Sequence, residues 1–268
     1  MGGEKGGSLA PGEFRLLLSL DSNSRNRWNQ QVSGPSVETS STIFVTEVIV
    51  GFLDDFELSF VLPWASVHAS DEMGSDDAAG FGDLLARVYW NASKGKFRYG
   101  SSAGLYLPVG NLAEQDLAGI ATFKSGTVDP YFALYLSRPG FLGFDWQGTL
   151  NLRAILASND DNVKFGSSLT TSLGLGRPVH RLVRAGIHFT YLHRGSDEMS
   201  QMTGHSFEDS GGHWLYLQPS ATVTLVARAS YAIQLIVGGR LPLVQNVNGT
   251  QLVESPAWNV GFANTFSF

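Results

Sequence analysis

The sequence predicts an all-β protein, a transmembrane up-and-down antiparallel β-barrel of about twelve strands. Three observations predict this fold. Apolar and polar residues alternate along most of the chain, and helical periodicity is hard to find. The alternating stretches are about ten residues long, the length that a tilted strand needs to cross a bilayer. Every odd-numbered connection is longer than its neighbours, as expected when long extracellular loops alternate with short periplasmic turns.

Each predicted strand has one apolar face and one mainly polar face. The strands are, in chain order, 13–21, 42–52, 56–64, 82–91, 97–108, 127–138, 144–156, 163–176, 182–194, 214–226, 231–243 and 257–268. On ten of these strands, ionisable residues identify the polar face. Strand by strand they are Arg15 and Asp21; Glu47; Glu57; Asp83 and Arg87; Arg98; Asp129; Asp145 and Arg153; Lys164; Arg184 and His188; and Arg240. On the other two strands, apolar residues at every second position identify the apolar face. Examples are Leu215 and Leu217 on one strand, and Trp258 and Val260 on the other. In a barrel the apolar face contacts lipid and the polar face lines the lumen.

A soluble β-sandwich is the alternative fold that also alternates. Only 16% of the residues are charged, few for a solvated face, and a Greek-key sandwich has no reason to alternate its connection lengths. The formal charge of −6 argues against a nucleic-acid binder, and the absence of cysteine excludes disulfides and thiolate metal sites. No apolar run is long enough for a transmembrane helix, and no signal peptide is recognisable.

The two ends of the chain carry separate expectations. Residues 1–12 are rich in glycine and are expected to be a flexible tail or a partial plug, and residues 13–268 form the predicted barrel. The last strand ends on Phe268, which is expected at the periplasmic rim beside the first strand. A terminal aromatic residue after an alternating strand is similar to the signal that the bacterial barrel-assembly machinery recognises, although Asn264 departs from that pattern.

Four segments carry a resemblance to a known family. In order along the chain they read FELSFVLPW, GFGDLLARVYW, GLYLPVG and GTVDPYFALYLSR. They resemble the outer-membrane family named for the MetA pathway of phenol degradation, over about residues 50–268, while the start of the chain resembles a related barrel family of unknown function. The resemblance implies a barrel in the bacterial outer membrane that passes aromatic or hydrophobic compounds, and it supplies no catalytic residues.

The predicted lumen is narrow. A barrel of this strand number has a backbone tube about 24 Å across, most of which inward side chains fill. One set of inward charges alternates in sign near the periplasmic start of successive upward strands: Arg15, Glu57, Arg98, Asp145 and Arg184. This charge belt either stiffens the barrel through ion pairs or forms a constriction that filters solutes. A second set, Glu47, Arg87 and His188, falls near mid-height and forms either a polar gate or a satisfied buried cluster.

Two regions of the predicted wall differ in side-chain size. An aromatic wall consists of Tyr89, Tyr106, Tyr131 and Tyr135, which could stack a ring-shaped solute. A small-residue path on the facing side consists of Gly166, Ser168, Thr170, Ser172 and Gly174. The path either leaves space for a solute or is filled by the N-terminal tail or an inward-folded loop. The long connections hold many more acidic than basic residues, which predicts an acidic outer vestibule.

The predicted function is therefore that of an outer-membrane transporter or narrow diffusion channel for small, aromatic or hydrophobic compounds. The alternative is a non-conducting structural or adhesion barrel whose acidic extracellular loops bind a partner. Neither a nucleophile motif nor a metal-binding motif is present, so no enzyme activity, cofactor or metal is expected. The expected partners are outer-membrane lipid and lipopolysaccharide, the assembly machinery and a small solute, but not nucleic acid.

Overall fold

The computed structural model describes residues 9–26, 38–71, 74–111, 125–160, 162–199, 210–228, 231–248 and 253–266. Throughout these ranges the regular secondary structure consists of β-strands. None of the ranges contains a helix that is long and apolar enough to span a membrane.

Within the described residues, twelve long antiparallel strands form one closed sheet. Their bounds are β1 (Phe14–Asn26), β2 (Glu38–Leu53), β3 (Phe56–Asp71), β5 (Leu84–Lys94), β6 (Phe97–Leu107), β7 (Asp129–Phe141), β8 (Phe144–Arg153), β10 (Ser168–His180), β11 (Val183–Arg194), β13 (Gly212–Ala227), β14 (Tyr231–Val247) and β16 (Ala257–Phe266). Four shorter strands are β4 (Gly74–Phe81), β9 (Val163–Lys164), β12 (Glu198–Met199) and β15 (Val253–Glu254). The prediction of an all-β antiparallel barrel with twelve wall strands is confirmed.

The barrel closes through β1, which pairs with β16 on one edge and β2 on the other. Phe14 lies opposite both Phe266 and Val50, and the rings of Phe14 and Phe266 stack with centroids 4.7 Å apart. Closure gives the backbone amide and carbonyl groups on both edges of β1 hydrogen-bond partners, which lipid cannot provide. Phe268, which is expected to contact the assembly machinery, lies outside the described residues.

The two faces of the wall differ as the alternation predicts. Large apolar side chains on one parity are more than a third exposed, among them Phe60, Trp90, Phe132, Leu150 and Phe189. Their neighbours on the other parity face the lumen, where Glu57, Ser59 and Ser102 are at most 1% exposed. This arrangement places an oily surface outside and the polar groups inside.

The strand β3 is longer than the sequence predicts. The predicted strand ended at Trp64, because Pro63 lacks the amide donor that a ladder needs. Instead β3 continues to Asp71, because its partner changes at the proline: β5 pairs with it up to Val61, and β4 pairs with it from Trp64. The carbonyl oxygen of Pro63 accepts a hydrogen bond from the amide of Gly82 at 2.9 Å. The predicted loop 65–81 is therefore mostly a hairpin that extends the wall.

The wall between β8 and β10 also differs from the prediction. The strand predicted over 163–176 is β10, which begins at Ser168 and continues to His180. The chain leaves the wall after Arg153, where the amide of Ile155 donates to the hydroxyl of Ser167 at 2.9 Å. The pair Val163–Lys164 belongs to a separate two-stranded sheet formed by β9 and β12.

Candidate functional site

The charged residues near mid-height form a compact network on β2, β3 and β5. The guanidinium of Arg87 lies 2.7 Å from the carboxylate of Glu47, and the hydroxyl of Ser59 donates to the same carboxylate at 2.7 Å. Arg87 also donates to the hydroxyl of Tyr131 at 3.2 Å and lies over the ring of Tyr89, 4.6 Å from its centroid. These contacts give both charges partners inside the barrel, as buried charges require.

His188, the third residue of the predicted mid-height set, lies elsewhere. It is on β11, and its Nε2 atom is 2.8 Å from the side-chain amide nitrogen of Gln147 on β8. The Glu47–Arg87 pair is on β2 and β5, so the structure places the two groups on separate parts of the wall. The expectation that all three meet in one gate depended on height alone, which does not specify the position around the barrel.

A second charge cluster lies where β5 and β7 begin and β8 ends. Arg153 contacts Asp129 at 2.6 Å and Asp83 at 3.1 Å, and its guanidinium lies 4.0 Å from the centroid of Tyr106. Both carboxylates are almost fully buried. The backbone amide of Ser125 donates to Asp83 at 2.7 Å, so the cluster also holds the chain that leads into β7. We call these residues the Arg153 cluster.

The residues of the predicted charge belt have different kinds of partner. Asp145 and Arg184 form an ion pair with a 2.5 Å contact. Arg15 instead donates to the hydroxyl of Thr265 at 3.1 Å, on the neighbouring last strand. Glu57 accepts the backbone amide of Leu9 at 2.7 Å, and Arg98 lines a cavity together with Asp145 and Arg184. Whether the five residues act together as a belt stays a prediction.

The segment before β1 folds against the inner wall at the mouth of the barrel where the short turns lie. Leu9 is 2% exposed, and the amide of Gly12 donates to the carbonyl oxygen of Gly51 at 3.0 Å. A Cβ atom added to Gly51 would overlap the carbonyl oxygen of Ala10, so glycine permits this close approach. Residues 9–12 thus occupy part of the mouth, and residues 1–8 of the predicted tail lie outside the described residues.

The four residues of the aromatic wall lie on β5, β6 and β7. The rings of Tyr106 and Tyr131 meet edge to face with centroids 6.0 Å apart, and Tyr89 is buried beneath Arg87. The hydroxyl of Tyr135 donates to the carbonyl oxygen of Trp90 at 3.0 Å. The ring faces of Tyr89 and Tyr106 already contact guanidinium groups, which reduces the area left for a solute.

The small-residue path is occupied more than its composition suggests. A Cβ atom at Gly174 would overlap the ring of His188, which therefore lies over this glycine. Gly166 is not on β10 at all, since it precedes the strand, packs against the backbone of Gly195 and donates its amide to Asp197 at 2.8 Å. The ring of His188 thus covers Gly174, and the backbone of Gly195 lies against Gly166.

Hydroxyl and amide groups form a polar track on the same side of the lumen. The hydroxyl oxygens of Ser172 and Thr190 are 3.0 Å apart, and Thr190 donates to the amide oxygen of Gln218 at 3.0 Å. We define Ser172, Thr190, Gln218, Gln147 and His188 as the polar track. It crosses β8, β10, β11 and β13.

The two halves of the lumen differ in burial. On β2 to β7 several inward side chains are fully buried, including Ile49, Glu57, Ser59 and Ser102. In contrast, every inward side chain is partly exposed over 145–151 of β8, 168–172 of β10 and 184–194 of β11. Among the described residues, the inward side chains of these three ranges therefore leave accessible surface beside the polar track.

The comparison with protein families decides the family of the chain. Residues 22–233 match the family model described as "Putative MetA-pathway of phenol degradation". The chain belongs to this family. None of the curated proteins matches the chain in sequence.

Solved structures show the same fold as this member of the MetA-pathway family. An outer membrane channel from Pseudomonas putida F1 is 15% identical, with a TM-score of 0.70 and 97% of each chain covered. The beta domain of the Bordetella autotransporter Brka is 10% identical, with a TM-score of 0.51, covering 95% of this chain and 99% of that chain. At these identities the similarity concerns the fold, which is that of outer-membrane β-barrels.

Sequence reasoning about this family member missed the partners in the polar track. Gln147 and Gln218 are uncharged, so their inward parity is the one signal that the sequence gives for them. No group of three or more metal-ligating side chains occurs in the part of the chain that the structure describes. What the site offers a solute is therefore hydrogen bonding and the field of paired charges.

Proposed function

We propose that this chain is a channel or transporter of the bacterial outer membrane that passes small compounds along the polar track. The observation that carries the proposal is the difference in burial between the two halves of the lumen. Over 145–151, 168–172 and 184–194 the inward side chains remain partly exposed, whereas Ile49, Glu57, Ser59 and Ser102 on the opposite half are fully buried. A barrel built only to be stable has no need to leave inward side chains open to solvent.

The chemistry of the polar track supports small solutes that can form hydrogen bonds. Ser172 and Thr190 supply hydroxyl groups, and Gln147 and Gln218 supply amides. The family description points to phenols, which combine an apolar ring with one hydroxyl group. The channel of Pseudomonas putida F1, with the same fold, supports conduction as the function of this architecture. Small aromatic compounds are therefore the solute class that we propose.

The location that we propose is the outer membrane, with lipid and lipopolysaccharide around the oily outer face and the assembly machinery acting on the C-terminal strand. The exposed apolar residues on the outward parity support this location. The expectation that the chain is not an enzyme stays a prediction. An assay for phospholipid hydrolysis by the purified barrel, with the inward His188→Ala variant as its control, tests that expectation.

The experiment that tests conduction compares two neighbouring positions on β10. Ser172→Phe adds a ring inside the lumen, and Thr171→Phe adds the same ring on the exposed outer face. We expect Ser172→Phe to reduce the single-channel current in planar bilayers, and the uptake of small solutes by liposomes, several-fold. Thr171→Phe should leave both unchanged.

Two outcomes contradict the proposal. If the unmodified barrel is folded but carries no current and admits no solute, the chain is a non-conducting structural or adhesion barrel. If Ser172→Phe conducts like the unmodified barrel, the solute path does not follow the polar track.

A further inference from the structure

A band of cationic and aromatic side chains crosses the outer face of the barrel at its periplasmic end. It consists of Lys94 on β5, Phe97 on β6, Arg138 on β7, Trp146 on β8 and Arg177 on β10. These residues share the outward parity of lipid-facing neighbours such as Trp90, Leu105, Leu136, Leu150 and Leu175. Lys94 lies opposite Phe97, and Arg138 lies opposite Trp146. Cations and rings therefore alternate over five adjacent strands, and we call them the rim band.

Arg138 is the centre of the rim band. Its guanidinium lies 5.1 Å from the ring centroid of Phe97 and 4.4 Å from that of Phe141. The ring of Phe97 also meets that of Trp146 edge to face at 6.4 Å. At the next cation, the guanidinium of Arg177 lies 5.8 Å from the ring centroid of Phe144. The aromatic rings hold the cations at the height where barrels meet lipid headgroups.

One polar atom at this centre lacks a partner. The Nε atom of Arg138 is buried and has no hydrogen-bond partner in the described part of the chain. A buried donor without an acceptor is costly, and a guanidinium presents its donors as a planar fork that matches phosphate oxygens. Arg138 as a whole is partly exposed, so an anion beside Phe97 and Phe141 would meet the exposed part of its guanidinium.

The charges around the rim band favour such an anion. Over 92–99, 136–146 and 175–183 the only acidic residue is Asp145. Its side chain accepts the amide of Gly140 at 2.5 Å and pairs with Arg184 inside the barrel. The short turns nearby add Lys96 and Arg181. Asp54 and Asp55 lie at the same end, in the short turn between β2 and β3, so basic residues outnumber acidic ones here without being free of them.

We propose that the rim band binds the phosphate of an anionic phospholipid in the periplasmic leaflet of the outer membrane. The phosphodiester lies on Arg138 between Phe97 and Phe141, with Lys94 and Arg177 supplying charge on either side. The exposed side chains of Leu134, Leu136, Leu173 and Leu175 continue the same face above the band and contact the acyl chains. This inference depends on the barrel lying in the membrane with its short turns in the periplasm, and not on conduction.

The test measures how many phospholipids the barrel keeps in detergent, by native mass spectrometry with added phosphatidylglycerol. The unmodified barrel should retain one lipid, and Arg138→Gln should require about tenfold more lipid for the same occupancy. Arg138→Lys, which keeps the charge but loses the fork, should fall between the two. Arg228→Gln is the matched control, because Arg228 lies over Tyr231 at another short turn of the barrel, away from the band.

A heat-modifiability gel shows that each variant is folded before the lipid is added. Equal retention by folded Arg138→Gln and the unmodified barrel overturns the site. If Arg228→Gln weakens lipid retention as much as Arg138→Gln does, a basic residue at any short turn is sufficient to bind the lipid. That result overturns the assignment to the rim band. Displacement of the lipid by an equal concentration of inorganic phosphate overturns the choice of a lipid as the ligand.

Discussion

The Arg153 cluster gives the most specific prediction about stability. Replacing Arg153 with Met removes a cation that contacts both Asp83 and Asp129, while the apolar part of the side chain is kept. Arg153 is 8% exposed, Asp83 is 1% exposed and Asp129 is 0% exposed, so water cannot replace the lost contacts. Breaking a buried ion pair by removing one partner costs about 3–5 kcal/mol. Arg153→Met should therefore lower the free energy of unfolding by at least about 3 kcal/mol, because it leaves two buried carboxylates without this cation.

Removing the two buried carboxylates together with Arg153 should rescue the stability of the barrel. Changing both carboxylates to amides in the triple variant Arg153→Met, Asp83→Asn, Asp129→Asn removes the buried charge altogether. Replacing a buried ion pair by well-packed hydrophobic residues of similar volume is often close to neutral, and the two amides here likewise leave no charge to desolvate. The triple variant should therefore recover most of the stability that the single variant loses. The bond between the amide of Ser125 and Asp83 can persist, since an asparagine oxygen still accepts it.

The assay is unfolding of the barrel from lipid vesicles by denaturant, followed by tryptophan fluorescence and extrapolated to zero denaturant. Arg184→Met is the matched control, because its pair with Asp145 is partly exposed, with side chains at 30% and 24% exposure. Exposed pairs are typically worth about 1 kcal/mol or less. A cost for Arg153→Met no larger than that for Arg184→Met would refute the role of burial, as would a triple variant no more stable than the single one.

Three further predictions concern the lumen. Gly51→Ala should displace residues 9–12 from the mouth of the barrel, because the new Cβ overlaps the carbonyl oxygen of Ala10. The single-channel current should then rise. An unchanged current would show that the segment does not narrow the mouth. Gly174→Val should force the ring of His188 away from Gln147 and cost about 1–3 kcal/mol of unfolding free energy in the vesicle assay. Adding His188→Ala should restore part of that loss, and no recovery would contradict the proposed overlap. A double-mutant cycle of Glu47→Gln and Arg87→Met should give a coupling energy of about 1–3 kcal/mol, whereas additive costs would mean that the pair does not act as a unit.

The wall of the barrel was predictable because strand alternation is a local signal. Inward charges such as Glu47 and Arg184 follow the parity of their own strands, whereas Lys164, also expected inside, lies in the separate sheet of β9 and β12. Strand ends were less predictable where pairing decides them. Pro63 does not end β3, because the partner strand changes at that point, and sequence alone does not contain that change.

The contacts across the lumen could not be predicted in the same way. Glu47 reaches Arg87 past the strand between them, and this depends on the stagger of three strands and on side-chain rotamers. Gly174 is small, which suggested open space, but the ring of His188 from the next strand covers it. The position of a residue in the alternation of its strand gives the direction of its side chain. The partner of that side chain depends on the register between strands and on the length of the side chain.

The central claim is that the open part of the lumen follows the polar track, and a cysteine comparison tests it most directly. The chain contains no cysteine, so each introduced thiol is the only one. Ser172→Cys and Thr190→Cys place a thiol on the polar track, and Ser102→Cys places one on the closely packed half, where Ser102 is 1% exposed. A charged thiol reagent should reduce the single-channel current at the first two positions and have no effect at the third. Block at position 102, with positions 172 and 190 unaffected, would contradict the account.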